Sequence, residues 1–418
     1  MRRRTFLKAS SSAALAAGAA SLVGLTSSRA TATDYARVKL PPAISREERL
    51  QRLAKARALM QRQGIGAILI ESGPSLDYFT GVQWWRSERL TAAIIPADGD
   101  PIIVTPFFER PSVEESLKVP AEIRTWNEDE EPLKLVANFL AERKAAGAPI
   151  GFEETNRFFI LDRLRKQLPQ VRVVSANPVV RTLRMLKTPA ELALMQAASD
   201  ITVAAYRSIY PRIAAGMTPD DIEQMFGEAI AGYGGTKPWA LILFGPSAAL
   251  PHGTGKPQKL NRGDIVLLDS GCEVRGYQSD ISRTFVLGAD PTPEQRKVWA
   301  QVRRGQDVAM GAAQIGATAG SVDDAVRDAY ESWGYGPGYR LPGLSHRTGH
   351  GIGMEGHEPV NLVHGEQTRL APGMCFSNEP GIYLPGKFGV RLEDCFHMTA
   401  SGPKFFSQPP PSIDQPFG

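Results

Sequence analysis

Two apolar segments of this chain each end on an acid and fold back towards a second acid. Asp264-Ile-Val-Leu-Leu-Asp269 reads as a strand, Gly271 and Gly276 allow a turn, and Asp280-Ile-Ser-Arg-Thr-Phe-Val returns. A hairpin of that kind sets positions 269 and 280 side by side. Further on, Phe376-Ser-Asn-Glu379-Pro-Gly-Ile-Tyr runs to a turn at Pro385-Gly386, and Gly389-Val-Arg-Leu-Glu393-Asp394 comes back, so Glu379 and Glu393 face each other. Like charges opposed across a sheet destabilise it. Four carboxylates converging in a poorly solvated site are prohibitively costly unless something positive lies between them. Two divalent cations would neutralise them; one would not. Four hard oxygen donors with one imidazole suit Mn²⁺, Co²⁺ or Zn²⁺, and two such ions close together generate hydroxide at neutral pH.

All six histidines follow residue 250: His252, His346, His350, His357, His364 and His397. Three fall within residues 346–357, a clustering that a site would produce. The glycines of Gly349-His350-Gly351-Ile352-Gly353 suggest a phosphate loop, but no Lys-Ser/Thr follows and no helix start is visible. Cys272, Cys375 and Cys395 form no C-x-x-C pair and no disulfide framework. Cys272 has no histidine partner in the sequence, so no thiol nucleophile competes with the acids.

The formal charge of +4 is set by the first 32 residues, which carry Arg2, Arg3, Arg4, Lys8 and Arg29 and no acid. The remainder holds 43 basic and 44 acidic residues, which leaves no electrostatic case for nucleic-acid binding. Arg3-Arg4-Thr5-Phe6-Leu7-Lys8 resembles the bacterial twin-arginine export motif. An Ala-rich apolar run at 13–25 and Ala30-Thr31-Ala32, an A-x-A cleavage site, follow it. These zones read as a signal peptide over residues 1–32, too short and too rich in small residues for a stable membrane anchor. The expectation is export by the twin-arginine pathway to the periplasm or beyond, with the mature chain starting near Thr33.

Residues 33–185 read as a three-layer α/β domain. Ser45 and Glu48 form a capping box ahead of a helix carrying Leu50, Leu53, Ala56 and Met60 on one side and ending at Gly64. Apolar runs at 67–70, 92–95, 102–104 and 171–174 read as strands, with Asp98-Gly99-Asp100 as a turn and a helix at 158–167. From 186 to 407 the pattern is helix, helix, then strands with acids, twice over. Thr188-Pro189-Ala190-Glu191, Thr218-Pro219-Asp220-Asp221, Thr292-Pro293-Glu294-Gln295 and Ser321-Val322-Asp323-Asp324 mark the helix starts, and the repetition reads as an internal duplication. Residues 408–418 form a Pro-rich tail, an extended strap or a loose end.

Asp269, Asp280, Gly349-His350-Gly351-Ile352-Gly353, Asn378-Glu379-Pro380-Gly381-Ile382-Tyr383 and Gly389-Val390-Arg391-Leu392-Glu393-Asp394 resemble the metal-binding segments of the creatinase/methionine aminopeptidase superfamily. The similarity is greatest to its Xaa-Pro aminopeptidase and prolidase branch, and all five ligand positions are present in order. The resemblance implies an α+β architecture, a pita-bread catalytic domain preceded by the α/β domain. It also implies a dinuclear-metal exopeptidase that cleaves Xaa-Pro bonds of short peptides through a metal-bridging hydroxide. By resemblance, Asp269 holds the first ion, Asp280 and Glu393 bridge, and His350 and Glu379 complete the second. Mn²⁺ is the first choice, with Co²⁺, Zn²⁺ or Fe²⁺ as alternatives. Glu379 also shuttles a proton, His357 hydrogen-bonds the oxyanion, and His252 lies near the leaving group. His346 is a further active-site histidine, and Arg391 anchors a glutamate or a substrate carboxylate. His364 and His397 read as structural or surface residues, and Asp394 as a supporting acid.

Gly81-Val82-Gln83-Trp84-Trp85-Arg86-Ser87-Glu88-Arg89 stands apart. On a strand, adjacent residues point to opposite faces, so one of the two tryptophans should be exposed or covered by a partner. In related enzymes this segment lines the neighbouring subunit's pocket, which implies a homodimer with Trp85 and Arg89 closing over the substrate. The other activities on this scaffold are amidine hydrolysis, hydrolysis of a non-peptide amide and a dimethylsulfoniopropionate-type lyase. Creatinase lacks the metal ligands that this chain keeps. Non-catalytic chromatin proteins of this fold have lost them too.

Overall fold

The computed structural model describes residues 35–145 and 147–417; the expected leader at 1–32 lies outside the described residues. In the first part, the apolar runs form strands Ala67–Glu71, Ala92–Pro96 and Ile102–Pro106, with every residue buried. Continuous burial marks strands covered on both faces. Ile68, Ile70, Ala93 and Ile95 share a core with Leu53, Ala56 and Met60 of the helix Arg46–Gln63. The alternate residues Ala67, Leu69, Ala92 and Ile94 share another with Leu133, Phe139 and Leu164 of the helices Pro132–Glu142 and Phe158–Gln167. The result is three layers around a six-stranded mixed sheet, in the order Glu122–Trp126, Ile102–Pro106, Ala92–Pro96, Ala67–Glu71, Ile150–Phe152, Val173–Ser175.

In the second part, Thr188, Thr218 and Thr292 each cap a helix with a closed capping box and Pro in the first turn, which satisfies two orphan amides per helix. Two expected starts differ. Ser45 accepts from Glu48 N, but the Glu48 carboxylate does not return the bond. It accepts from Arg52 and Thr188 instead, tying the first helix to the start of the second part. The helix expected at Ser321 begins at Ala319 behind Thr318, and Ser321 Oγ donates back to Thr318 O. The helix pairs Pro189–Ile209 with Pro219–Tyr233 and Pro293–Ala312 with Ala319–Ser332 each precede a group of strands.

The acid-bearing hairpins form, with one change of register. Ser282, not Asp280, lies opposite Asp269 in the pairing of Ile265–Val274 with Ile281–Val286. Asp280 is therefore the diagonal neighbour of Asp269, still within reach on the same face. In the second hairpin Gly381–Leu384 pairs with Phe388–Arg391. Backbone bonds of 3.2 and 3.3 Å between Asn378 and Asp394 carry that ladder past Glu379 and Glu393. The two hairpins then join edge to edge: Ser282 N donates to Glu393 O at 3.3 Å, and Glu393 N to Ser282 O at 3.1 Å. Behind the joint, Arg283 pairs with the fully buried Asp394 at 2.7 Å, and Gln306 and Ser407 also donate to that carboxylate. Full satisfaction is what makes a buried ion pair tolerable.

The tail is a strap. Arg283 donates to Gln408 O and Arg207 to Phe417 O, and the Phe417 ring packs among Tyr206, Tyr210 and Phe285. No helix among the described residues is long and apolar enough to cross a membrane.

Candidate metal centre

The edge-to-edge joint brings one oxygen each of Asp269, Asp280 and Glu393 within 4.8 Å of one another, and likewise one ligand atom each of His350, Glu379 and Glu393. His350 enters from the strand Gly349–Gly351, its Nε2 3.4 Å from Glu379 Oε1 and 3.8 Å from Asp280 Oδ2. Glycine is required on either side of it: a Cβ at Gly349 would stand 2.1 Å from Ser377 O, and one at Gly351 2.5 Å from Glu358 O. His350 Nδ1 lies 3.1 Å from Gly351 O. A carbonyl only accepts, so Nδ1 carries the proton and the Nε2 lone pair faces the acids. Burial, then the nearby His357, lowers the His350 pKa to about 3, so the ring is neutral.

The acids cannot all ionise unaided. Burial, then repulsion from Asp269 and Glu379, pushes Asp280 well above the usual carboxylate range. Burial, then Asp280 and Glu379, does the same to Glu393. Burial raises Glu379 to about 7 against the pull of Arg391. Asp280 Oδ1 and Glu393 Oε1 are buried with no hydrogen-bond partner. Unpaired buried oxygens with two further carboxylates and an imidazole within reach are the donor set of divalent cations, and the residues present fit such ions.

Arg391 takes a different place from the one expected. Its guanidinium donates to Asp269 Oδ2 at 2.5 Å, to Ser282 Oγ, to Pro251 O and to the Tyr383 hydroxyl. It anchors an aspartate rather than a glutamate, and its donors are engaged within the protein. Two residues escaped the sequence reading. Ser282 Oγ sits 3.0 Å from Asp269 Oδ1 and 2.9 Å from Glu393 Oε2, linking the two hairpins; strand alternation from Asp280 puts it on the site face and could have found it. Tyr383 accepts from Arg391 at 3.1 Å and donates to His346 Nε2 at 2.7 Å, while His346 Nδ1 donates to Arg347 O. Burial, then Arg391, lowers the His346 pKa to about 3.

The His357 ring packs on the His350 ring, with centroids 3.9 Å apart and a tilt of 37°, and its Nδ1 accepts from Arg347 at 3.0 Å. An arginine only donates, so the proton of neutral His357 lies on Nε2. A pocket of about 720 Å³ collects these groups, with Trp239, Leu241, Pro251 and Val363 as apolar walls and the exposed His252 among its lining residues. Trp85 and Arg89 do not line it. The segment is not a strand, and the Trp84 and Trp85 rings stack with an interplanar angle of 2°. The expected division nonetheless holds, since Trp84 packs against the core and Trp85 is 76% exposed, and Arg89 pairs with Glu128 at 2.7 Å. His364 pairs with Asp324 at the surface, and His397 packs on Phe406.

Residues 52–186 match the creatinase/prolidase N-terminal domain, and residues 193–400 match metallopeptidase family M24. The crystal structure of dipeptidase PepE from Mycobacterium ulcerans is 33% identical, with a TM-score of 0.80 over 88% of this chain and 98% of that one. A prolidase structure from Thermococcus sibiricus is 27% identical, with a TM-score of 0.80 over the same shares. The Xaa-Pro dipeptidase of Pyrococcus furiosus is 29% identical over 86% of this chain and 97% of its own. The fold is thus the pita-bread catalytic fold behind an α/β N-terminal domain, as the sequence led us to expect. Because the likeness spans both parts of the chain in order, and the acids converge where the two hairpins join, this protein belongs to metallopeptidase family M24.

Proposed function

We propose that this metallopeptidase hydrolyses the bond before proline in short peptides. Asp269, Asp280, His350, Glu379 and Glu393 would hold two divalent cations, Mn²⁺ foremost. The observation that carries the reading is the pair of orphaned oxygens, Asp280 Oδ1 and Glu393 Oε1, where four acids converge. The Xaa-Pro dipeptidase and prolidase names of the relatives support the choice of bond, as do apolar walls suited to a pyrrolidine ring. When bound, such ions polarise the scissile carbonyl and make water nucleophilic at neutral pH.

The chain's own groups divide the remaining work. Glu379 faces the pocket with a carboxyl poised near neutrality, suited to taking a proton from water and returning it to the leaving nitrogen. The His357 Nε2–H, fixed by Arg347, is free to donate to an oxyanion. Arg391, Ser282, Tyr383 and His346 form a bonded chain that holds Asp269 and Glu393 in place. His252 stands on the leaving-group side. The test is Ala-Pro against Ala-Ala with metal-loaded enzyme. Ala-Pro should show a kcat/KM at least about tenfold higher; equal rates would overturn the reading. His357→Ala should keep its metal and lose roughly a hundredfold in turnover. Release of metal from that variant would contradict the assigned role.

Two further proposals concern the whole molecule. Export by the twin-arginine route is supported by Arg3-Arg4 ahead of an apolar run and an A-x-A site. Arg3→Lys with Arg4→Lys should trap the precursor in the cytoplasm, and unimpaired export would refute the proposal. A homodimer in which Trp85 and Arg89 approach the partner's pocket is supported by an exposed tryptophan that does not line its own. Mixing Arg89→Ala chains with Glu379→Ala chains should restore part of the activity. A monomer with full activity would exclude it.

A further inference from the structure

His357 lies in the loop between the strands Gly349–Gly351 and Glu358–Leu362. Its own N–H and C=O make no hydrogen bond among the described residues. What holds the loop is the side chain that follows. Glu358 turns inward and is 4% exposed. Its Oε1 accepts from Met354 N at 2.9 Å and from Glu355 N at 3.2 Å, so one carboxylate ties together the chain on either side of His357. Glycine at 353 leaves room for it. A Cβ there would stand 2.8 Å from Glu358 Oε2 and 2.7 Å from Lys187 Cε.

The same carboxylate is gripped from outside the loop. Lys187 Nζ, itself buried, donates to Glu358 Oε2 at 2.9 Å, and Arg184 Nη2 to Oε1 at 2.5 Å. Arg184 stands on the helix Val180–Met185, in the connection between the two parts of the chain. It also donates to Glu355 Oε2 at 2.8 Å and to Ser75 Oγ at 2.9 Å. Ser75, on the helix Pro74–Thr80 of the N-terminal domain, donates in turn to Glu153. One guanidinium is therefore bonded to the N-terminal domain and to the His357 loop at once. Its charge and that of Lys187 face Glu358 and Glu355, the pairing that a buried cluster requires. Such a network fixes the loop in one place, and a group misplaced by about 1 Å can lose roughly a hundredfold in rate.

We infer that Glu358 is the positioning residue of His357, and that Arg184 links this positioning to the N-terminal domain of the same chain. Glu358 does not line the metal pocket; it acts by holding the loop so that the His357 ring stays over His350. Arg347 selects the tautomer of that ring, and Glu358 sets its place. The inference rests on the proline-peptidase reading with His357 as the oxyanion donor. It adds a connection from the N-terminal domain to turnover that needs no second subunit.

The test compares metal-loaded wild type, Glu358→Gln, Arg184→Gln, His357→Ala and the two double variants with His357→Ala, all on Ala-Pro. Glu358→Gln should lower kcat about ten- to hundredfold, with KM within about twofold of wild type and metal content unchanged. Arg184→Gln, which leaves Lys187 on Glu358, should lower kcat about three- to tenfold. In the His357→Ala background each change should cost less than about twofold, because effects routed through one group do not multiply. If Glu358→Gln fails to fold with Lys187 left charged, Glu358→Gln with Lys187→Met removes both charges together and is held to the same outcomes. Losses that multiply with His357→Ala, a loss of metal, or an unchanged kcat overturns this inference alone. Failure of wild type to cleave Ala-Pro, or a fully active His357→Ala, removes the reading beneath it and this inference as well.

Discussion

Glu393→Gln is expected to lower turnover by roughly 10⁴-fold or more, the scale of removing one member of a group that acts as a unit. It should also empty the site of metal while making the metal-free fold more stable than the wild type. The opposite signs follow from one observation. Glu393 Oε1 is buried without a donor, and its pKa is raised by burial, then by Asp280 and Glu379. In the metal-free protein the carboxyl must take up a proton to be buried there; an amide is neutral without that cost and keeps the shape and the contact with Ser282. Removing that protonation cost with a near isostere should return about 1–3 kcal/mol. The same change removes the carboxylate that two of the three ligand clusters share. Metal analysis, steady-state rates and denaturant midpoints in chelator read the three effects. A variant that keeps its metal, or whose metal-free form is weaker than the wild type, contradicts the assignment.

The second large effect is a loss of stability in the metal-free protein as pH rises above the histidine range. Asp280 and Glu393 are held well above ordinary carboxylates, and Glu379 at about 7. Where a group stays protonated in the folded state and not in the unfolded one, the native state binds more protons, and stability falls with rising pH. Below about pH 6.5 the histidines oppose this trend. His346 and His350 are lowered to about 3, so the unfolded chain binds more protons there and stability rises with pH. Above that range His346 and His350 are neutral in both states; His364, raised by its hydrogen bond to Asp324, adds to the fall with rising pH in stripped and loaded protein alike, so the difference between the two is due to the carboxyls. Glu358, held at about 2 despite its burial by Arg184 and Lys187, contributes a constant amount until pH falls below the ordinary carboxylate range. Stability of the stripped protein should therefore decline by about 1.4 kcal/mol per pH unit for each carboxyl still protonated. Metal-loaded protein should lack this carboxyl decline, because bound cations favour the ionised ligands. Denaturant unfolding of stripped and loaded protein between pH 6.5 and 8.5 makes the comparison; parallel curves would refute the electrostatic account.

The sequence made legible what depends on local pattern. Apolar runs became the central strands because both faces of that sheet are covered, and T-P-x-x segments became capped helices because the cap bonds are local. The five expected ligand residues, read from hairpins and a resemblance, lie together in one pocket. What escaped depends on contacts between distant segments. The diagonal placement of Asp280 follows from a two-residue shift of register set by the turn at 275–276. The joint between the hairpins through Ser282 and Glu393 spans more than a hundred residues. Arg391 reaches Asp269 and Tyr383 rather than a glutamate because Phe388–Arg391 packs against the first hairpin. Trp84 and Trp85 stack because their segment is irregular, where strand alternation has no force.

The most direct measurement is a Mn²⁺ titration of stripped protein, following Ala-Pro hydrolysis and bound metal together. No turnover is expected without metal and full turnover as about two ions bind per chain, since four converging acids offset by one arginine leave charge for more than a single cation. Full hydrolysis by protein that holds no metal would contradict it.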